Sequence, residues 1–519
     1  MALRDLYVDP THVNANDTNA GTSANLPWLT LPGIKNASTS RVVIPGDRIL
    51  LPSKHRFLLS NLWWIPYYDG TQANYIEIET FGGSDPAILD AKEQITGFTL
   101  QSPNIWRADI NSRCKRLFDP NGNPLAKATS QAALDSTRTW WDEQPVSQWH
   151  LYVFSATDPS GLVYGNLGAN AFCLEFDDRS YLKVSNIRTE GGSTAGMALR
   201  GTGQSHILEE LEIRNSNYGI NCQQNASGEE IKDVQIINCD LDAQVLYGEW
   251  DVASNPVPNT ELMDAIYLGP GCKNFIVRSN KLKDFSHSMV KVFGITTNPT
   301  TDNSDGHLIE DNHMLVTTSD YCRGPDLYGA TVNSTKDVIC RFNRCSGLRT
   351  KSHIRGNNLK FYGNIFENSK ITERDTIATQ CAMNITASNT FDMTNLECYD
   401  NVVLNSEVPA VRIRNESAIN FSNLQIHDNK WHVKASVNEI VHTNMTTTGA
   451  WVPVTNFTNN LLGRNVGETV LDVNGTTYDI SQLNTLSGVT SLSTDSKNLA
   501  QFRTGLLARP PSGNRIQVD

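Results

Sequence analysis

The chain has no run of about 18 apolar residues, so no helix able to span a bilayer is expected and no membrane partner is implied. Its opening, MALRDLYVDP, is followed by no apolar core, so no secretory leader is expected either. Positive charge is in deficit: 43 Lys and Arg stand against 55 Asp and Glu, a net charge of −12. This argues against a general nucleic-acid binder and leaves a local basic groove open. The ten cysteines include no CxxC pair. Most lie in strand-like positions (Cys222, Cys239, Cys272, Cys340, Cys398), where buried reduced thiols are expected rather than bridges or ligands. HExxH, a phosphate-binding glycine loop and GxSxG are all absent. TDNSDG (301–306) is a poor calcium loop, because Thr301 stands where an acid belongs and no Glu closes it. No metal and no cofactor are therefore expected. Helical periodicity is scarce, which leaves an all-β chain.

What the sequence does contain is a recurring phrase that ends on asparagine. LKVSN, LEIRN, VQIIN, FIVRSN, HLIEDN, VICRFN, LKFYGN, LECYDN and LQIHDN end at Asn186, Asn215, Asn238, Asn280, Asn312, Asn343, Asn364, Asn401 and Asn429. Alternating apolar positions precede each Asn, so each phrase reads as a short strand and a corner. Repeats of this kind indicate a solenoid, here a parallel β-helix. Asn suits the corner because it tolerates the left-handed backbone and bonds locally. Coils stacked about 4.8 Å apart also allow an amide ladder. All nine Asn are expected at one corner. Residues 1–170 are expected to form an N-terminal cap and the first strands. Residues 171–460 form the regular coils with a catalytic groove, and 461–519 a C-terminal cap or oligomerisation segment.

Uneven repeat lengths require loops to leave the coils, chiefly 245–264 and 296–306, on a face suited to binding. Tyr247, Trp250 and Tyr328 lie in or near these excursions and are candidates for stacking on sugar rings. Charged residues follow successive corners. Arg323, Lys351, Arg374 and Arg412 form a basic stripe in an acidic chain, with His353 and Arg355 beside it, suited to an anionic polymer. Lys351 and Arg374 lie 23 residues apart, about one coil. A lysine base and an arginine that stabilises developing charge suit β-elimination at a uronate. The rival chemistry is hydrolysis by two carboxylates drawn from Glu249, Asp264, Asp284 and Glu310.

YVDPTHVNANDTNAGTSANLPWLTL followed by VIPGDRILL resembles the opening of many right-handed β-helix, polysaccharide-active proteins. NIWRADI, RLFDPNGNPL and LYVFSATDPS are similar to that group's next strands. TKSHIRGNNLKFYGNIFENS resembles the Lys-Ser strand of the alginate lyase and chondroitinase B family. This implies Lys351 as base and Arg374 as acid or stabiliser, although Arg344 and Ser346 stand where that family carries acidic calcium ligands. A loop-decorated, acidic β-helix without a leader looks like a bacteriophage tailspike depolymerase. That resemblance implies a homotrimer on a virion, bound to phage tail or baseplate proteins, that attacks bacterial surface polysaccharide. A secreted lyase and a non-catalytic glycan-binding adhesin are the alternatives.

Overall fold

The computed structural model describes residues 4–494, except 34–40, 60–63, 65–66, 129, 138, 146, 168–171, 245–263, 295–302, 319–320, 330–333, 372–379, 388–392, 416–420, 435–436, 438–439, 446–453, 459, 463–470, 474–475, 479–488 and 491–492. The chain winds into a right-handed parallel β-helix. Among the described residues three long sheets of 14, 13 and 12 strands run its length, joined by a five-stranded sheet of two-residue strands. One coil illustrates the order. Ala195–Arg200 lies in the 12-stranded sheet, Gly203–Gln204 in the short one, Ile207–Glu209 in the 14-stranded and Glu212–Arg214 in the 13-stranded. The chain then re-enters the 12-stranded sheet at Tyr218–Gln223.

The register explains why alternation in the sequence produces this core. In the 14-stranded sheet Val184, Leu208, Ile236, Val277, Ile309, Cys340, Phe361, Cys398 and Ile426 pair in one inward column. All of them are buried. In the three-residue strands Gln235–Ile237 and Ile276–Arg278 the central residue is buried and the flanks are half-exposed. A fully buried aliphatic side chain stabilises by roughly 1.5–3 kcal/mol, and stacking lets each coil seal the next. The ten cysteines are all buried and unbridged, small apolar groups of the interior, with Cys340 and Cys398 in this column.

The asparagines divide into three positions rather than one. Asn280, Asn312, Asn343, Asn364, Asn401 and Asn429 stack as an amide ladder. Each Nδ2 donates to the next Oδ1 at 2.9–3.1 Å, and Asn460 extends the ladder by one rung. The left-handed residue is the one before the ladder position: Ser279, Asp311, Phe342, Gly363, Asp400 and Asp428 carry positive φ. Asn186 and Asn238 occupy that preceding position, with φ of 51° and 55°. Asn215 belongs to the next corner, after strand Glu212–Arg214 of the 13-stranded sheet. The expectation of a single corner is therefore corrected. A one-residue slip separates Asn that bends the chain from Asn that bonds its neighbours.

Residues 93–165 leave the coils as a small antiparallel module. Strands Thr99–Ser102, Ile105–Ile110, Trp140–Glu143 and Trp149–Phe154 form one of its sheets. Ile95, Cys114, Trp140 and Leu151 lie in a core separate from that of the helix. The module docks at the corner that leads into the 12-stranded sheet. Arg116, itself buried, donates to the carbonyls of Ala243 and Gln244 at 2.6 and 3.1 Å, and Lys115 to that of Ser193 at 2.9 Å.

Candidate active site on the twelve-stranded sheet

Buried polar groups concentrate on the outer side of strands Asp264–Leu268, Ser288–Gly294, Arg323–Gly329 and Ser352–Arg355. Strict alternation fails here. Ala265 and Ile266 both enter the core, as do Met289 and Val290. This local break turns Asp264, Ser288 and Arg323, paired across three coils, away from the core although they share parity with inward residues. Asp326 and His353 follow on the next outward positions.

The polar network has one consistent proton arrangement. The Arg323 guanidinium donates from Nη1 to His287 Nε2 at 3.1 Å and to Asp326 Oδ2 at 2.9 Å, and from Nη2 to the Tyr321 hydroxyl at 3.0 Å. Since Arg only donates, His287 is neutral at Nε2 and donates from Nδ1 to Asp264 Oδ1 at 2.7 Å. The Ser288 hydroxyl donates to Asp326 Oδ2 at 3.1 Å. The remaining oxygen of Asp326 accepts from His353 Nδ1 at 2.8 Å, which leaves the His353 Nε2 lone pair without a hydrogen-bond partner among the described residues.

Burial opposes the Asp326 charge, but Arg323 and His353 outweigh it and hold this carboxyl well below its usual range. Burial also lowers His353, to about 4, with Asp326 pulling the other way. His353 is thus a neutral imidazole at physiological pH, fixed in one tautomer by a permanently ionised carboxylate. His287 is likewise lowered by burial against the pull of Asp264. Asp264 is fully buried, and its Oδ2 has no partner among the described residues.

The expected site residues fall into three groups. The structure brings together Asp264, Arg323, His353, Arg355, Tyr328 and Lys351. Lys351 directly precedes the Ser352–Arg355 strand, and its charge acts on His353. Arg355 lies over the Tyr328 ring at 4.7 Å, and Tyr328 meets His353 edge-on at 5.4 Å. Arg412 is on the same sheet two coils onward, reached from His353 through Asn384. A second group is placed elsewhere. Glu310 lies in the 14-stranded sheet between Arg278 and Arg341, at 2.5 and 2.6 Å. Asp284 is a corner residue with φ of 49° that accepts from the backbone N–H groups of Thr317 and Thr318. Both carboxylates are engaged in holding the coil. Arg374, Glu249, Tyr247 and Trp250 lie outside the described residues.

Sequence reasoning missed the central role of Asp326 and the parts played by His287, Ser288 and Tyr321. Spacing offered little signal. Asp326 follows its ladder Asn by 14 residues and His353 follows its own by 10, because the loops between corner and strand differ in length.

No family model and no curated protein matches the chain. Among solved structures it is similar to the GH136 lacto-N-biosidase from Eubacterium ramulus, at 13% identity over 91% of this chain and 68% of that one, with a TM-score of 0.48. It is also similar to an alginate lyase from Paenibacillus sp. str. FPU-7, at 12% identity over 78% and 94%, with a TM-score of 0.37. A third is the tailspike protein gp49 from Pseudomonas phage LKA1, at 10% identity over 82% and 74%, with a TM-score of 0.36.

Proposed function

We propose that this chain is a depolymerase of acidic bacterial surface polysaccharide, of the phage tailspike kind, that cleaves at uronate units by β-elimination. The observation that carries the reading is the His353–Asp326 pair among cations. A neutral imidazole with a free lone pair is the form a general base requires. Asp326 holds its tautomer, as the third group of a triad does. Arg323 and Lys351 supply positive charge beside it, where a uronate carboxylate and its developing enolate need neutralising. In this reading His353 or Lys351 removes the proton next to the carboxylate, the electron pair left behind forms the new double bond as the adjacent glycosidic C–O bond breaks, and the departing oxygen takes a proton back from the protonated base or from water. Arg374 keeps the stabilising role that its sequence context suggests.

Hydrolysis is the second reading, favoured by one observation. Asp264 and Asp326 lie two strands apart and are linked through His287 and Ser288. Their environments differ, since one carboxylate is saturated with donors and the other has an oxygen without a partner among the described residues. Purified capsular polysaccharides incubated with the chain discriminate between the readings. Shortened chains with new ultraviolet absorbance from unsaturated uronate ends support elimination. Shortening without that absorbance moves the assignment to hydrolysis. Binding without shortening makes the chain an adhesin.

The homotrimer belongs to the same proposal. On the outer face of the 14-stranded sheet Ile207, Ile276, Leu308 and Ile339 fall in one column, interrupted by Gln235, with Ile237 alongside. The 13-stranded sheet instead presents Arg188, Glu212, Asp240 and Lys281. The aliphatic column of the 14-stranded sheet, beside the charged column of Glu209, Arg278, Glu310 and Arg341, is where a second copy is proposed to sit, and light scattering tests it, since the monomer mass is 57.5 kDa. Attachment to phage tail or baseplate proteins on a virion follows from the tailspike reading, with secretion as the alternative.

A further inference from the structure

The site has a second feature that the acid–base chemistry does not use. Four aromatic rings stand on successive coils of the same sheet and lead to His353. Tyr218 and Tyr267 have centroids 5.7 Å apart, Tyr267 and Phe293 6.4 Å, Phe293 and Tyr328 5.9 Å, and Tyr328 and His353 5.4 Å. Phe293 and Tyr328 are near-parallel, at 18°. All four are half-buried, with their remaining surface on the outer side of the sheet. The run crosses four inter-strand spacings, about 19 Å along the helix axis.

Cations are interleaved with the rings. Lys291 Nζ lies 5.1 Å from the Phe293 centroid and 5.8 Å from that of Tyr267, and Arg355 covers Tyr328 at 4.7 Å. Lys291 pairs in register with Tyr267 on one side and Asp326 on the other, so it sits between the track and the network. A sheet that only needed covering would bury these rings under apolar neighbours. Here they alternate with charge and keep an open side. Aromatic rings bind the apolar faces of sugars, and a cation held beside them by its own ring contact is preordered for a carboxylate.

We infer that Tyr218, Tyr267, Phe293 and Tyr328 form a track that lays several sugar units along the helix axis, on one side of the bond cleaved at His353. Lys291 and Arg355 are its specificity determinants for acidic sugars. The inference rests on the function proposed above and deepens it. Binding energy collected along the track favours long substrates, so the chain attacks within polymers and releases oligosaccharides, and short substrates react poorly.

The test uses the full chain, a panel of purified uronate-containing capsular polysaccharides, and dextran as the neutral polymer. Tyr267→Ala and Phe293→Ala are compared with wild type by affinity, KM, kcat and melting temperature. Each is expected to weaken binding and raise KM by about tenfold, the effect of one lost stacking contact, with a smaller change in kcat. Lys291→Gln is expected to reduce the preference for acidic polymer over dextran. A lowered melting temperature with unchanged affinity makes the rings structural and overturns the track. Cleavage that survives with unchanged KM in both ring variants overturns the track and leaves the depolymerase reading standing. Binding that these variants weaken, with no cleavage by wild type, upholds the track and removes the depolymerase. No binding of any acidic polymer by wild type overturns both.

Discussion

Replacing Asp326 by Asn tests the site at its centre. The change conserves shape and removes one charge from a fully buried position that accepts three hydrogen bonds. An amide offers one oxygen and one NH2 group, so it cannot serve three donors. With its NH2 toward Arg323, the guanidinium loses its carboxylate partner and retains only His287 and Tyr321. Breaking a buried ion pair on one side costs about 3–5 kcal/mol. With its NH2 toward His353, the imidazole must move its proton to Nε2 and loses the free lone pair there. The first orientation predicts lost stability, and the second a lost base, worth about 10²–10⁴ in rate. Ser288→Ala is the control. It removes one neutral donor from Asp326, costs about 1 kcal/mol, and leaves the His353 tautomer intact. Urea unfolding at constant m and turnover of acidic polysaccharide are the two readouts. If Asp326→Asn is no less stable than Ser288→Ala and turns over at the wild-type rate, the proton arrangement assigned to this network is wrong.

Glu310→Gln is expected to lose part of its ion pairing with Arg278 and Arg341 and to leave turnover at the wild-type level; a large loss of rate would return Glu310 to the catalytic candidates. Lys351→Ala should lower turnover by about two orders of magnitude or more if Lys351 is the base, and normal turnover with measurable binding leaves that role to His353. Asn343→Ala removes donors to Asn364 Oδ1 and to the Ile309 and Arg341 carbonyls, and the acceptor for Asn312, so a loss of about 2–4 kcal/mol is expected in urea unfolding, against about 1 kcal/mol for half-exposed Asn186→Ala, where the cost is chiefly that of alanine in a left-handed conformation. Stability is expected to fall as pH drops from 6.5. Burial lowers His206 to about 4 and His307 to about 3, and His353 joins them at about 4, so between those values and 6.5 the unfolded chain binds protons that the folded chain does not. Glu190 adds a further loss below pH 4.5. Burial opposes its charge, but Lys92 and Arg56 hold it down at about 2, so its stabilising contribution disappears as pH falls through that value. A melting temperature constant from pH 7 to 4 would contradict this account.

By itself, the sequence determined the architecture. Period-two alternation closed by a turn and repeated at coil length is satisfied by stacked coils, because each strand then buries its apolar residues against those of the next coil. The same logic made the cysteines buried, since they occupy inward positions of that alternation. Ladder Asn and corner Asn were not separable by pattern. They differ by one residue, and only the three-dimensional stack decides which amide meets another. The site was legible in part. Arg323, Lys351, His353, Arg355 and Tyr328 stand out as charge and aromatic residues in strand-like surroundings, and the structure gathers them on one face. Glu310 and Asp284 looked equivalent to Asp264 in sequence. Tertiary structure set them apart by giving Glu310 to a different sheet and Asp284 to a corner. Asp326 acquired its importance from contacts 27 and 38 residues away, across loops of unequal length that erase any fixed spacing. The local break in alternation at Ala265 and Met289 turned Asp264 and Ser288 away from the core, and such a break is a property of stacked strands, visible only once the coils are wound.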